Sequence, residues 1–442
     1  MERRTFLNNT AAISSATILS PEIVFGSKAN SAIRVGIIGL GNRGTELTGY
    51  FLEQPEVEIT YLCEVNRSRF AKATALVQEK RGKMPKRVAD FHEVLQDDSV
   101  DAVVIATGMR WHALLTIYAC QAGKDVYVEK PMSMTLFEGR KMVEAAQKYN
   151  RVVQVGSQTN SAAYFLDALN YVKSGGLGEI SLVRSQIMER PIEVPQPPEN
   201  SQGKPIPKGF DWDTWCGPSP LAPYWPGPWW WTKWDYNQGT INDHVAHQMA
   251  MIHSFLGPEP PKSVFCSGGV FYFEDQRDVP DSQYAVFDFE NRHIVFQGSN
   301  WSTYMKTPFH TLDNVDGYGN WVRCNRVELL GTEAMMLIGR HGAGWQVYSN
   351  DDEPIAGGFG RRGDQPHVAN FLDCVRTRER PNLGVEEAHE ATTLCHIMNA
   401  SLRVGGRKLQ FDAATESFVN DEEANQLLRR EGRAPWLIPE SV

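Results

Sequence analysis

The sequence predicts an α/β protein with an N-terminal doubly wound parallel sheet and a C-terminal α+β domain built on a largely antiparallel, open-faced sheet. Three observations support this prediction. The chain has 442 residues, which is more than one ordinary domain. Strand-like apolar runs alternate with amphipathic stretches up to Gly156, as in βαβ units. Beyond Gly156, strand-like runs follow one another with turns and few helices between them.

Residues 1–31 are set apart from the fold as a twin-arginine-type signal segment. Arg3 and Arg4 precede a weakly apolar stretch at 11–19, and this arrangement resembles a signal read by the Tat export machinery. We therefore expect the protein to be periplasmic or otherwise extracytoplasmic. If the segment is only a frayed basic terminus, we expect the protein to be cytoplasmic.

Residues 32–156 are predicted to form a nucleotide-binding Rossmann domain. An apolar strand at 33–38 leads directly into the pattern G-x-G-x-x-G. Gly39 permits the tight turn, Gly41 lets backbone N–H groups approach a pyrophosphate, and Gly44 lets the next helix pack closely on the strand. The N-terminus of that helix adds partial positive charge. The loop is predicted to bind the cofactor through Gly39, Gly41, Asn42, Arg43 and Gly44.

The carboxylate of Glu64 is predicted to select the cofactor. It stands twenty positions after Gly44 (64 − 44), at the end of a strand-like run, where an acid can accept hydrogen bonds from adenosine ribose hydroxyls. It would repel the 2′-phosphate of NADP, so we expect NAD. NADP stays open, because Arg67 and Arg69 are close enough in sequence to form a phosphate clamp.

Two further strand ends are predicted to contribute to the site, because ligands of open parallel sheets bind at the carboxyl ends of strands. Glu129 and Lys130 end one strand, and Lys130 can hold a substrate hydroxyl or a nicotinamide-side group unless it is a plain surface lysine. Thr107 and His112 follow another strand and are expected to line the nicotinamide pocket. The five predicted strands are 33–39, 58–65, 101–107, 125–129 and 152–156.

Residues 157–442 are predicted to form a substrate and oligomerisation domain, with a Trp-rich insertion at 191–236 and a helical C-terminal extension at 366–442. Aromatic rings in the insertion are suited to stacking on a sugar. We expect one or two of them, Trp231 included, to touch substrate, while the others pack the insertion onto the body or a neighbouring subunit. The aromatic residues of the insertion are Phe210, Trp212, Trp215, Tyr224, Trp225, Trp229, Trp230, Trp231, Trp234 and Tyr236.

Asp243 and His247 are the candidate proton-transfer residues of this domain. If their segment is helical, they lie at i and i+4 on one face. A carboxylate near an imidazole orients the ring and stabilises its charged form, as a general base for alcohol oxidation requires. The same spacing also occurs on plain helix surfaces. If the segment is not helical, His244 rather than His247 would face the cleft.

Composition and spacing argue against several other classes of protein. A net charge of −9 disfavours a nucleic-acid surface, and no apolar run is long enough to span a membrane. The seven cysteines are scattered without a C-x-x-C pair, which argues against a disulfide framework and a zinc ribbon. His341, His367 and His389 fit no metal-ligand spacing, so we expect no metal.

Taken together, these residues resemble the Gfo/Idh/MocA oxidoreductases, the family of glucose–fructose oxidoreductase and inositol dehydrogenase. The resemblance implies a Rossmann domain joined to an open-faced sheet domain, and a homo-oligomer, dimer or tetramer, formed through the open sheet. The tail resembles the C-terminal extension of exported bacterial members. The likeness rests on Glu129-Lys130-Pro131, on Asp243 and His247 as D-x-x-x-H, and on residues 215–218 and 370–381.

Three positions depart from the family pattern. Gly108 stands where members usually have the proline of ATP-x-x-x-H, and Glu64 stands where aspartate is frequent. Residues 158–160 stand where many members have an arginine. The substrate contacts predicted are Lys130, Gln158, Trp231 and His244.

The resemblance implies a nicotinamide-dependent oxidoreductase that moves hydride between NAD and a carbohydrate or polyol hydroxyl. His247 would remove the hydroxyl proton, Asp243 would orient it, and Lys130 would stabilise the developing alkoxide. Tightly bound NAD is expected, because free NAD is scarce outside the cytoplasm. Two alternatives stay open: redox-neutral glycoside cleavage by oxidation, elimination and reduction, and a non-catalytic nucleotide-binding sensor.

Overall fold

The computed structural model describes residues 32–189, 191, 193–198, 201–301, 325–340, 342 and 344–442. The predicted signal segment 1–31 and His341 lie outside the described residues. Ile33–Val442 form a single structural unit that contains two sheets.

A six-stranded sheet occupies the N-terminal part of this unit. Its strands run in the order β3-β2-β1-β4-β5-β6, and all neighbouring pairs are parallel. The strand order reverses between β1 and β4, which opens a crevice at their carboxyl ends. The predicted doubly wound sheet is thus confirmed. Its strands are β1 (Ile33–Ile38), β2 (Val57–Cys63), β3 (Lys86–Val88), β4 (Ala102–Ile105), β5 (Asp125–Glu129) and β6 (Val153–Gly156).

The helices between these strands pack apolar side chains into the core, and the helix His112–Gln121 is buried along almost its whole length. In α1, Leu47 and Phe51 lie one turn apart and are fully buried in the core beside β1. The side chain of Thr135 caps the start of α5 by accepting the backbone N–H of Glu138 at 3.3 Å. The helices are α1 (Asn42–Leu52), α2 (Phe70–Arg81), α3 (Phe91–Leu95), α4 (His112–Gln121) and α5 (Leu136–Lys148).

Strand β3 is the element of this sheet that the prediction lacks. It has only three residues, and Lys86 and Arg87 are exposed. It therefore offers neither an apolar run nor an alternation that could be read as a strand.

A mixed, mostly antiparallel sheet of ten strands forms the second layer, as predicted. The order is β14-β13-β12-β11-β7-β10-β9-β8-β15-β16, and β7 and β10 run parallel. Its strands are β7 (Ile180–Met188), β8 (Ser263–Gly269), β9 (Ser282–Asp288), β10 (His293–Ser299), β11 (Asn325–Gly331), β12 (Ala334–Gly339), β13 (Trp345–Ser349), β14 (Pro354–Gly358), β15 (Leu409–Asp412) and β16 (Ser417–Phe418).

One face of the ten-stranded sheet is covered and the other is more open. Ala285 and Phe287 of β9 are buried, whereas Tyr284, which directly precedes Ala285, is 45% exposed. Helices α8 and α10 contact each other and strands of this sheet. The remaining helices of the described ranges are α6 (Ala163–Lys173), α7 (Trp212–Cys216), α8 (Gly239–Leu256), α9 (Asp364–Thr377), α10 (Val385–Arg403) and α11 (Glu422–Gln426).

The C-terminal extension is more than a set of helices. Strands β15 and β16 continue the ten-stranded sheet at its edge. Helix α9 instead packs in the core of the parallel sheet, where Phe371 makes edge contacts with the rings of Phe51 and Tyr127. The predicted second domain therefore supplies a helix that packs against the first sheet.

Among the described residues, no helix combines the length and apolarity needed to cross a membrane.

Candidate active site

The loop between β1 and α1 has the shape of a phosphate cradle. Gly39 has a φ of +91°, and a Cβ there would lie 2.8 Å from the backbone of Ala106. A Cβ on Gly44 would lie 1.9 Å from the carbonyl oxygen of Gly39, so α1 approaches the turn only because this residue lacks a side chain. Gly41 lines the cleft, and a Cβ there would meet nothing within 4 Å. This open space at the start of α1 fits a pyrophosphate.

Glu64 lines the same cleft and also holds the glycine loop. The N–H groups of Leu40 and Asn66 donate to its two carboxylate oxygens at 2.8 and 2.9 Å. Each oxygen retains a second lone pair that suits a ribose hydroxyl. Burial raises the pKa of Glu64 against the opposing effect of these hydrogen bonds. Of the two arginines considered for a phosphate clamp, Arg69 lines the cleft.

Arg43 is engaged mainly by protein carboxylates. Its Nε lies 2.8 Å from Glu129 Oε1, and its Nη2 lies 2.9 Å from Asp364 Oδ1. Burial lowers the pKa of Arg43, but the charges of these neighbours outweigh burial and raise the pKa above its usual value. The side chain thus ties the glycine loop to β5 and α9, and it also lines the cleft.

The segment after β4 is fixed by His112. Its Nδ1 lies 2.8 Å from the carbonyl oxygen of Pro131, and its Nε2 lies 3.2 Å from that of Thr107. Burial lowers the pKa of His112, against the opposing effect of these two carbonyl contacts. His112 therefore holds Thr107 and the Lys130–Pro131 turn together at the cleft wall.

Two connected cavities follow these elements. The first, of about 700 Å³, is lined by Gly41, Asn42, Glu64 and part of the Trp-rich insertion. The second, of about 420 Å³, collects most of the predicted catalytic and substrate residues. Arg43, Thr107, Gly108, Trp230 and Trp231 line both cavities, which makes them one groove. The predicted residues that meet in the second cavity are Arg43, Thr107, His112, Glu129, Lys130, Gln158, Trp231, Asp243, His244 and His247.

Lys130 and Asp243 form an ion pair at the wall of the second cavity. Lys130 Nζ lies 2.9 Å from Asp243 Oδ2 and donates to the Asp243 carbonyl oxygen at 3.1 Å. Burial would raise the pKa of Asp243, but the charges of Lys130 and His244 outweigh it and lower the pKa. In the structure the Asp243 carboxylate holds the lysine that reaches across from the parallel sheet, and the orienting of His247 by Asp243 stays a prediction.

His247 is held by a residue outside the predicted set. Residues 239–256 are helical, so Asp243 and His247 do lie one turn apart on α8. The Nδ1 of His247 lies 3.0 Å from the hydroxyl oxygen of Ser157, which directly follows β6. The imidazole is buried and lines the cavity. A ring fixed at Nδ1 can exchange a proton at Nε2, as a general base requires.

His244 has a carboxylate partner of its own. Its Nδ1 lies 2.5 Å from Glu189 Oε1, and its Nε2 lies 3.7 Å from Asp243 Oδ2. Arg340 donates to the carbonyl oxygen of His244 at 3.1 Å and lies 3.8 Å from Glu189. Burial would raise the pKa of Glu189, but the charges of His244 and Arg340 outweigh it and lower the pKa. The cavity therefore contains two imidazoles, each with its own hydrogen-bonding partner.

Ser157, Glu189 and Arg340 are the site residues that the sequence interpretation missed. Each stands one residue beyond the end of a strand, β6, β7 and β12 respectively. That position was the available signal, because polar residues just beyond strand ends often point into a site. None of the three belongs to a recognisable local motif.

Gln158 and the insertion complete the walls of the groove. Gln158 Nε2 donates to Glu129 Oε1 at 3.0 Å and lies 3.2 Å from the Tyr127 hydroxyl, so its amide is already engaged by protein atoms. Trp230 and Trp231 face both cavities, with ring centroids 5.6 Å apart. Among the described residues, no group of three or more potential metal ligands is found.

Comparison with known families gives three matches along the chain. The oxidoreductase family model for the NAD-binding Rossmann fold of Gfo/Idh/MocA proteins matches residues 33–157. The Gfo/Idh/MocA C-terminal domain model matches residues 210–337, and the C-terminal alpha/beta domain model of the oxidoreductase family matches residues 357–438.

Curated relatives match over part of their length. A glycosyl hydrolase family 109 protein of Shewanella putrefaciens is 26% identical over 204 residues, covering 41% of this chain and 44% of the relative. The alpha-N-acetylgalactosaminidase of Shewanella oneidensis is 29% identical over 152 residues, covering 34% of this chain and 33% of the relative. The chain thus spans less than half the length of these relatives.

Solved structures share the fold. The WlbA dehydrogenase of Bordetella pertussis, in complex with NADH and UDP-GlcNAcA, superposes with a TM-score of 0.61 at 17% identity, over 86% of this chain and 99% of that chain. The aldose–aldose oxidoreductase of Caulobacter crescentus, complexed with glycerol, superposes with a TM-score of 0.64 at 17% identity, over 86% and 100%. With family models matching both layers, the predicted family is confirmed, and the chain belongs to the Gfo/Idh/MocA oxidoreductase family.

Proposed function

We propose that the protein is an NAD(P)-dependent oxidoreductase that moves hydride between a nicotinamide cofactor and a hydroxyl carbon of a sugar or polyol. The observation that carries this proposal is the joined groove. The glycine cradle and Glu64 lie in one cavity, and Lys130, Asp243 and His247 lie in the next. A dinucleotide laid along the groove would present its nicotinamide end to the catalytic side chains.

The side chains of the second cavity supply position and proton transfer. The cofactor, when bound, accepts or returns the hydride. The Lys130 ammonium, held by Asp243, would donate a charge-assisted hydrogen bond to the substrate oxygen and stabilise it as an alkoxide. His247, fixed through Ser157, would take the hydroxyl proton.

NAD is the proposed cofactor, in preference to NADP. The support is Glu64, whose carboxylate lines the groove where a ribose 2′-phosphate would suffer charge repulsion. Arg69 lines the same cavity and favours the opposite preference. Titration of cofactor-free protein with NADH and NADPH tests the point: tighter binding of NADPH would overturn the assignment. The NAD is further proposed to stay bound from one turnover to the next.

Redox-neutral glycoside cleavage is the second candidate. Oxidation of a ring hydroxyl acidifies the neighbouring C–H bond, so a second proton-transfer group is needed to remove that proton before the aglycone leaves. His244 lines the same cavity and forms a separate imidazole–carboxylate pair with Glu189 behind it. The partial similarity to glycosyl hydrolase family 109 proteins supports this candidate as well.

Mass spectrometry of cofactor released from purified protein, followed by a screen of sugars, polyols and aryl glycosides, tests the function. Oxidoreduction predicts a change in nicotinamide absorbance with a sugar or polyol. Glycoside cleavage predicts aglycone release without net change in the cofactor. His247→Ala serves as the inactive control. A protein that binds the dinucleotide but turns over neither class would instead favour a nucleotide-binding sensor.

We also propose export through the Tat machinery and assembly into a homo-oligomer. The support for export is the twin arginine pair Arg3-Arg4. Replacing both with lysine should retain precursor in the cytoplasm, and a wild-type protein found unprocessed in the cytoplasm would contradict export. The support for assembly is the open sheet face, where Phe265 is 37% and Tyr284 45% exposed. A monomer mass by light scattering would contradict assembly.

A further inference from the structure

The Trp-rich insertion is attached to the loop that carries Glu64. The backbone N–H of Asp211 donates to the carbonyl of Val65 at 3.0 Å, and that of Arg67 donates to the carbonyl of Gly209 at 3.0 Å. Asn66 and Phe210 form an antiparallel bridge between these two bonds. Backbone pairing therefore joins the insertion to the segment that follows β2, and this segment includes Glu64, the proposed ribose-binding acid.

Residues 209–231 build an aromatic wall over the first cavity. A buried cluster of Trp212, Cys216, Trp229 and Tyr236 anchors the wall. The rings of Trp212 and Trp215 stack on each other, with centroids 4.3 Å apart and an interplanar angle of 11°. The faces that they turn towards each other are therefore closed to a ligand. The rings that line the cavity from the insertion are Phe210, Trp212, Trp215, Tyr224, Trp225, Trp230 and Trp231.

Trp225 differs from the other rings of the wall. It is half-buried and lines the first cavity but not the second. Lys204 Nζ lies 4.8 Å from its ring centroid. Trp225 packs against the buried cluster of the insertion, but within the described residues no aromatic ring stacks on it or makes an edge contact with it. An indole in a nucleotide-sized cavity without a stacking partner is suited to a planar base.

Arg110 places a buried cation in the same wall. Its Nε and Nη2 donate to the carbonyl of Trp215 at 3.1 and 2.7 Å, and its guanidinium lies 4.0 Å from the Trp215 ring centroid. Its Nη1 is buried without a hydrogen-bond partner, and within the described part of the chain no carboxylate lies within ion-pair distance of Arg110. Burial lowers the pKa of Arg110 to about 10. Arg110 thus lines the cavity with aromatic rings rather than a carboxylate beside it, which favours an anionic ligand.

The C-terminal residues support this wall from behind. Arg430 Nη2 donates to the carbonyl of Arg110 at 3.0 Å, and Arg433 Nε donates to the carbonyls of Gly217 and Ser219 at 3.1 Å. The ring of Trp436 makes an edge contact with Trp111 at 5.7 Å. The wall is thus held on both sides, by the Glu64 loop and by the C-terminal segment.

We infer that residues 209–231 form a clasp over the adenosine half of the dinucleotide, in which Trp225 stacks on the adenine and Arg110 faces the phosphates. This inference rests on the proposed function. The acid Glu64 marks the ribose, and the base attached to that ribose lies on the side of the cavity away from the nicotinamide end. The clasp slows release of the cofactor and so explains why NAD would stay bound from one turnover to the next.

Release of NADH from the holoenzyme tests the clasp. Bound NADH is chased with excess NAD, and the fall in NADH fluorescence anisotropy gives the release rate. Loss of stacking on one base predicts that Trp225→Ala releases NADH roughly 5- to 150-fold faster than the wild type. Trp225→Phe should stay near the wild-type rate. Trp234→Ala is the matched control, since Trp234 is half-buried in the same insertion, packs against Arg403, and does not line the cavity.

Competition experiments show which half of the dinucleotide Trp225 contacts. Trp225→Ala should weaken binding of ADP-ribose and leave that of nicotinamide mononucleotide unchanged. Equal release rates for Trp225→Ala and the wild type would overturn the clasp while leaving the proposed function intact. A wild-type protein that binds neither NADH nor NADPH would overturn both. If Trp225→Ala does not fold, Trp225→Leu, which keeps apolar volume without a ring, gives the deciding comparison.

Discussion

Arg43→Met should destabilise the cofactor-free protein by about 3 kcal/mol. Arg43 is the cation shared by Glu129 and Asp364, whose side chains are 7% and 6% exposed. Removing one partner of a buried ion pair costs about 3–5 kcal/mol, because a carboxylate is left buried without its countercharge. The lower end applies here, since Glu129 keeps the amide of Gln158 and Asp364 keeps Arg362 at 3.2 Å.

Urea unfolding of the cofactor-free protein, followed by circular dichroism, measures this effect. A loss of about 3 kcal/mol corresponds to a roughly 150-fold change in the folding equilibrium constant. The cofactor must be removed first, because a ligand that binds the folded state adds its own stabilisation.

Lys83→Met is the matched control for Arg43→Met. It breaks the pair between Lys83 and Glu58, whose side chains are 73% and 37% exposed, and should cost less than about 1 kcal/mol. Equal losses in the free energy of unfolding for the two variants would refute the argument that Arg43 stabilises the fold by neutralising two buried carboxylates.

Three further outcomes are expected. His247→Ala should lower kcat on the order of 10²–10⁴-fold with NADH affinity unchanged; if His244→Ala alone is inactive, the base is assigned to the wrong imidazole. Glu64→Gln should bring the dissociation constants of NADPH and NADH closer together, because the charge that repels the 2′-phosphate is removed; fluorescence titration measures both constants. Burial raises the pKa of Glu416, but hydrogen bonds from His389 and Arg140 outweigh burial and lower this pKa from 4.5 to about 2. Its stabilising effect is therefore complete above about pH 4.5 and lost towards pH 2, so Glu416→Gln should unfold more easily than wild type at neutral pH but not near pH 2.

The sequence was most informative where the signal is local. The spacing of the glycines and of Glu64 follows from backbone geometry within one βαβ unit, and Gly39, Gly41 and Glu64 do line one cavity. The helical spacing of Asp243 and His247 was equally readable, because both lie on α8. What each side chain bonds to was not readable in the same way.

The missing information concerns partners that are distant along the chain. Lys130 and Asp243 are 113 positions apart, and Ser157 and His247 are 90 apart. Such pairs depend on how the two sheets pack, which no local pattern encodes. The same reason explains why the aromatic residues of the insertion suggested a sugar-stacking surface, whereas most of them line the nucleotide end of the groove.

The contacts of Arg430 and Arg433 behind the nucleotide cavity bear on the order of events during synthesis. Arg430 is added 386 residues after Gly44 (430 − 44). Domains generally fold from the N-terminus as they leave the ribosome, so the wall over the glycine cradle lacks its backing until the C-terminal segment emerges. Until then nucleotide can enter the first cavity freely. The late arrival of the tail then makes enclosure of the cofactor one of the last steps of maturation.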